Sequence, residues 1–138
     1  MYKVLFLIIA ISLSISAQAY EDRAYKRPVN TYHYVKNVES LLTSAVSRDN
    51  WTLVKQENGS FGAKISHKSY LINVSFIEGD GTIALHLDSV NRVDCGKSCK
   101  VDQEQVDYWL LRLRRSIAVE LTLIVKKAAM KEYLLTEE

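Results

Sequence analysis

The chain has 138 residues, 18 lysines and arginines against 16 aspartates and glutamates, a formal net charge of +2, and 48% hydrophobic residues. That is enough for one domain with a real core. The near-neutral balance argues against a charge-driven nucleic-acid binder, and no apolar run approaches the roughly 20 residues of a membrane helix.

The first nineteen residues have the order of a cleavable secretory signal. Lys3 gives a weakly basic start, residues 4–15 are apolar, and Ala17-Gln18-Ala19 is an A-x-A ending. The expected product begins at Tyr20 and works in the periplasm or outside the cell. Removing 19 of the 138 residues leaves 119, and loss of one lysine lowers the formal charge from +2 to +1.

Residues 20–30 are polar and charged, hold the only proline, Pro28, and read as a flexible leader. Residues 31–48 follow helical spacing, with Tyr34, Val38, Leu41, Leu42 and Ala45 on one stripe. The period then changes to two. Phe61, Ala63 and Ile65 form one alternating set; Tyr70, Ile72, Val74 and Phe76 another; Ile83, Leu85 and Leu87 a third. Residues 51–57 read as a first strand.

Turns at His67-Lys68 and Gly79-Asp80 would pair Ile65 with Tyr70 and Phe76 with Ile83. Both place the apolar sets on one face, as a meander requires. At Asn58-Gly59 a three-residue loop or a bulge is preferred, because it turns Trp51 and Leu53 inward.

Residues 92–103 are a polar loop containing the two cysteines, Cys95 and Cys99. After export the expected state is a local disulfide. A long helix should start at Glu104, where Val106, Trp109, Leu110, Leu113, Ile117 and Leu121 keep helical spacing. No glycine or proline follows Gly96 to stop it.

The expected architecture is α+β: an N-terminal helix, a four-stranded antiparallel meander and a long C-terminal helix, both helices on one face of the sheet. The domain would span 31–125, with 126–138 extending the last helix. That extension outruns any strand, yet apolar residues recur along it. Leu121, Ile124, Val125 and Ala128 are the expected partner-contact residues, for self-association or for docking to an envelope protein. A break at Lys126-Lys127, folding the tail back, is the alternative.

The order resembles a family of small exported bacterial proteins of uncharacterised function. Val38-Glu39-Ser40-Leu41-Leu42, Asn50-Trp51-Thr52-Leu53, Phe61-Gly62-Ala63-Lys64-Ile65, Asp88-Ser89 and Trp109-Leu110-Leu111-Arg112-Leu113 carry the resemblance. An Ile-His and a Tyr-Asn pair often precede the helix tryptophan in that family; here those places read Asp102-Gln103 and Val106-Asp107. The resemblance implies a fold and a compartment, and no activity.

The open face of the sheet is where a binding site is expected. It should show Lys64, Asn73, Ser75, His86 and Asp88, with Asn73 opposite His86, a set suited to a small anion or a partner's polar edge. Ser75, His86 and Asp88 are also the ingredients of a nucleophile. His86 and Asp88 would stand about 7 Å apart on a regular strand, and no nucleophile-elbow motif accompanies them. Arg112, Arg114 and Arg115 read as a solvated helix flank. The expected function is a non-catalytic interaction module without a metal or other cofactor. The alternative is a thiol-dependent copper or redox protein using Cys95 and Cys99, with His86 as a third ligand.

Overall fold

A computed structural model describes residues 23–96 and 98–136. The expected signal at 1–19 lies outside them. The fold is α+β, with a five-stranded antiparallel sheet and two α-helices. In chain order these are β1 (Val29–Asn30), α1 (Val38–Ser47), β2 (Thr52–Lys55), β3 (Phe61–His67), β4 (Tyr70–Gly79), β5 (Thr82–Arg92) and α2 (Gln103–Leu135). The sheet order is β1-β5-β4-β3-β2.

The fifth strand corrects the four-strand expectation. β1 lies inside the segment expected to be a flexible leader, and pairs Val29 with Ile83 and Asn30 with Thr82. A 3-10 turn at Ala24–Lys26 precedes it and buries Tyr25, which is 2% exposed. Lys26 and Arg27 keep exposed side chains, but two contacts tie the stretch to α2. Arg114 donates from Nε to the Arg27 carbonyl at 2.7 Å, and Arg23 pairs with Asp107 at 3.4 Å.

α1 starts seven residues later than its periodicity implied. Tyr32 and His33 have left-handed φ of 50° and 66°, which stops a helix from running through them. Asn37 then caps the helix, its side chain accepting from the Ser40 amide at 3.0 Å. Tyr34, expected on the buried stripe, is exposed.

The meander keeps the expected faces with a different register. β3 and β4 pair Ile65 with Ile72, and β4 and β5 pair Phe76 with Leu85. The turns are Lys68-Ser69, both with left-handed φ, and Asp80-Gly81, where Gly81 takes φ +70°. Moving each turn by one residue shifts the pairing by two, so every side chain stays on its face. The β2–β3 loop has three residues, 57–59, closed by the Gln56 amide donating to Ser60 O at 2.8 Å. It turns Trp51 and Leu53 inward as preferred.

One core forms between the sheet and both helices. Leu41, Leu42 and Val46 of α1 and Val106, Leu110, Leu113 and Ile117 of α2 meet Ile72, Val74, Phe76 and Leu85. Asp49 locks the helices together: its carboxylate accepts from Arg112 Nη2 and from Ser116 Oγ, each at 2.7 Å. Arg112 and Arg114 thus tie other segments to α2 while Arg112 stays half-exposed on the helix flank.

α2 begins at the Asp102 cap, whose amide donates to the Tyr70 hydroxyl at 2.9 Å. It runs without a break through Lys126 and Lys127 to Leu135. Its 33 residues span about 50 Å at 1.5 Å per residue. Among the described residues no helix is long and apolar enough to cross a membrane.

Candidate functional site

The sheet face opposite the helices carries two cross-strand rows. One reads Thr52, Lys64, Asn73, Ser89; the next reads Val54, Gly62, Ser75, His86. Between these rows the β4–β5 register slips, from Val74 opposite Leu87 to Asn73 opposite Ser89. Asp88 is therefore the extra residue of a β-bulge. Bulges bend a strand and re-aim its side chains, and here the bulge swings Asp88 toward its neighbours.

The result is a connected polar network. Ser75 Oγ donates to Asp88 Oδ2 at 2.6 Å, and His86 Nδ1 lies 2.9 Å from Asp88 Oδ1. Gln56 Nε2 donates to Ser75 Oγ at 3.2 Å. Ser60 Oγ in turn lies 2.7 Å from Gln56 Oε1 and 2.6 Å from Asn58 Oδ1. Gly62 makes this reach possible. A Cβ there would stand 3.3 Å from Gln56 Nε2 and 2.6 Å from the Val74 carbonyl.

Three of the five expected open-face residues, Ser75, His86 and Asp88, come together. The expected 7 Å gap between His86 and Asp88 is closed by the bulge. Asn73 does not face His86; its Nδ2 donates to Ser89 Oγ at 3.0 Å. Lys64 faces Asn73 one row away. Gln56 was not foreseen, because its side chain reaches Ser75 only across the missing side chain of Gly62.

The order of the network decides its chemistry. A serine nucleophile needs an imidazole to take its proton, with the carboxylate behind the imidazole. Here the carboxylate sits in the middle and accepts the serine's hydrogen bond itself, while no hydrogen bond joins His86 to Ser75 among the described residues. The arrangement is a fixed array of hydrogen-bonding groups. Asp88 at its centre also makes it a poor seat for an anion, contrary to the small-anion option.

The cysteines form a disulfide with Cα atoms 5.4 Å apart. The loop is held at both ends. The Arg92 guanidinium lies 4.2 Å over the Tyr70 ring and its Nη1 donates to the Lys100 carbonyl at 3.0 Å; the Val93 amide donates to Ser69 O at 2.8 Å. With both sulfurs joined, neither is a thiolate ligand.

A cleft of about 160 Å³ opens where β3 outruns β2, between Trp51, His67, Trp109 and Arg112. Trp109 stands edge-on to His67 and Tyr70, with centroids 5.4 and 5.1 Å away. Its two arginines are already engaged, Arg112 by Asp49 and Arg48 by Glu120 at 2.6 Å.

On α2 the expected contact residues belong partly to the domain itself. Leu121 is buried, Ile124 and Val125 pack against the core, and Ala128 is half-buried. The exposed large apolar residues of α2 are Tyr108 near its start and Val119, Leu123, Met130, Tyr133, Leu134 and Leu135 further along. At 100° per residue, Val119, Leu123, Met130 and Tyr133 fall on the side of the helix away from its buried stripe, whereas Leu134 lies in line with Ser116 and Leu135 in line with Ile117.

Comparison with protein families, curated proteins and solved structures finds no match to this chain.

Proposed function

We propose that this chain is an exported, non-catalytic binding module of the bacterial envelope, and that the distal half of α2 is its protein-contact element. One observation carries the reading. The helix continues unbroken for ten residues, about 15 Å, past Val125, the last core-packed position, and carries exposed Met130, Tyr133, Leu134 and Leu135 there. Helices with exposed apolar stripes ordinarily bury them against another surface.

Export is supported by the order of residues 1–19, by the pairing of both cysteines, which suits an oxidising compartment, and by the resemblance to small exported bacterial proteins. A copper or redox role through Cys95 and Cys99 would need the bridge opened first. No observation favours that reading over a structural bridge.

Truncation after Val125 tests the helix role, read by light scattering and thermal melting. The expected outcome is a full-length dimer, a truncated monomer, and an unchanged melt for the truncated domain. A full-length monomer whose melt drops on truncation would show that the tail serves its own core. Monomers in both forms with equal melts would remove self-association.

A further inference from the structure

The loop between β1 and α1 holds a costly backbone in a fixed place. Tyr32 and His33 are consecutive, neither is glycine, and both have left-handed φ, 50° and 66°. Such a conformation costs about 1–2 kcal/mol per residue for a side-chain-bearing L-residue. Glycine would adopt it without that cost. The chain instead places two aromatic residues there and follows them with a third, Tyr34.

The loop is pinned rather than loose. The Tyr32 amide donates to Asn30 Oδ1 at 3.0 Å, the Tyr34 amide to the Thr31 carbonyl at 3.1 Å, and the Thr31 amide to the Gly81 carbonyl at 2.9 Å. The last bond fastens the loop to the β4–β5 turn, which carries Asp80. Strained residues persist where the surroundings over-determine them, and they collect at ligand-binding places.

Between loop and turn lies an open concavity of about 510 Å³, lined by Asn30, Tyr32, His33, Tyr34, Asp80 and Gly81. Tyr32 is 60% exposed and Tyr34 44%. Asp80 has no ion-pair partner among the described residues. The lining contains no lysine or arginine.

These features select a ligand class. Flat amphipathic rings offer apolar faces with polar rims. A carboxylate and a primary amide offer acceptors and donors at fixed angles. Anionic ligands are opposed by Asp80 with no lysine or arginine to offset it. A small quaternary cation wants rings on several sides of a tight cage, whereas this space is wide and open. A pyranose ring, with C–H faces for the aromatics and hydroxyls for the polar groups, meets every requirement.

We propose that this concavity is a saccharide-binding site for a neutral glycan, with Tyr32 and Tyr34 as stacking platforms and Asp80 and Asn30 as hydroxyl-binding groups. The strain is then the cost of placing both tyrosines in the lining of one concavity. The site is independent of the distal half of α2, so the two readings fail separately.

The test is an amide-shift titration of the full chain, purified as secreted, with chitotetraose, cellotetraose and maltotetraose in turn. Tetramethylammonium and inorganic phosphate serve as competing probes. At least one oligosaccharide should give saturable shifts confined to residues 30–34 and 79–82. Tyr34→Ala should weaken it about tenfold or more. Tyr32→Gly, which removes both ring and strain, should abolish binding while the melting temperature stays equal or rises. Absence of saturable shifts with all three oligosaccharides overturns the proposal. So does saturation by tetramethylammonium alone, which makes this a cation site, or by phosphate alone. A fall in melting temperature for Tyr32→Gly also overturns it, because the ring would then be serving the fold.

Discussion

His86 and Asp88 stand two residues apart on β5, yet Nδ1 and Oδ1 are 2.9 Å from each other. A regular strand separates such residues by about 7 Å. The bulge at Asp88 closes the gap and lets the same carboxylate bind Ser75. The pair is largely exposed, with His86 62% accessible. Asp88→Ala should therefore change stability by less than about 1 kcal/mol. It should still free the imidazole, seen as loss of a single ordered rotamer in side-chain NMR of His86. A large loss of stability would mean that the carboxylate holds the bulge itself together.

Gly62 should tolerate no side chain. The Val74 carbonyl, 2.6 Å from the position of an added Cβ, belongs to the neighbouring strand's backbone and cannot swing away. Gly62→Ala should cost about 1–3 kcal/mol in urea unfolding. It should also break the Gln56 to Ser75 contact, visible in the Gln56 side-chain amide resonances. Gly59, with open space around its Cβ position, is the comparison: its φ of +84° makes Gly59→Ala costly through the backbone alone, with Gln56 undisturbed.

Asp49 is the tie between the helices. Its side chain is 12% exposed and accepts from two residues of α2. Asp49→Ala should cost about 1–3 kcal/mol, since it strands a nearly buried serine hydroxyl as well as a half-exposed arginine. In a double-mutant cycle with Arg112→Ala, the coupling should stay near 1 kcal/mol or below, because the arginine end is solvated.

The two faces of the sheet were legible in the sequence because inward and outward residues alternate, and a register shift of two leaves that alternation intact. The bulge was not. Residues 83–88 alternate without interruption, so nothing in them marks Asp88 as extra, and Val90 was missed as a core-facing residue beyond it. The left-handed turn at Tyr32 and His33 was hidden for a similar reason. Both residues are bulky, neither is the usual signal for positive φ, and helical spacing read straight through them from Thr31. The continuous α2 was legible from the absence of any glycine or proline after Gly96.

Cys95 and Cys99 enclose a very short loop, so their bridge should matter little to the fold. The chain-entropy relation gives about 2 kcal/mol for closing so small a ring. The loop is also tied down independently by Arg92 on Tyr70 and by Asp102 on the Tyr70 hydroxyl. Replacing both cysteines with serine should lower stability by about 2 kcal/mol or less and leave the α2 cap intact. A collapse of the melt would assign the bridge a larger share of the fold. Two free thiols with stoichiometric copper in protein purified from its own compartment would restore the metal-binding alternative.

Tyr25 gives the sharpest test of where the domain begins. The residues around it are charged, and composition alone made 20–30 a leader. One buried ring outweighs that composition: Tyr25 joins the core, and β1 follows it four residues later with Val29 also buried. Tyr25→Ala should destabilise by about 3–5 kcal/mol, the range for emptying a buried aromatic site. Tyr25→Phe, which keeps the ring, should cost less than about 1 kcal/mol. A flexible leader would show no effect from either. The same burial bears on processing. Cleavage after Ala19 leaves Tyr25 in place with five residues before it, whereas cleavage a few residues further on would remove part of the core. On the proposed export, intact-mass measurement of the mature protein should find Tyr20 as its first residue, and a chain beginning after Tyr25 should melt several degrees lower.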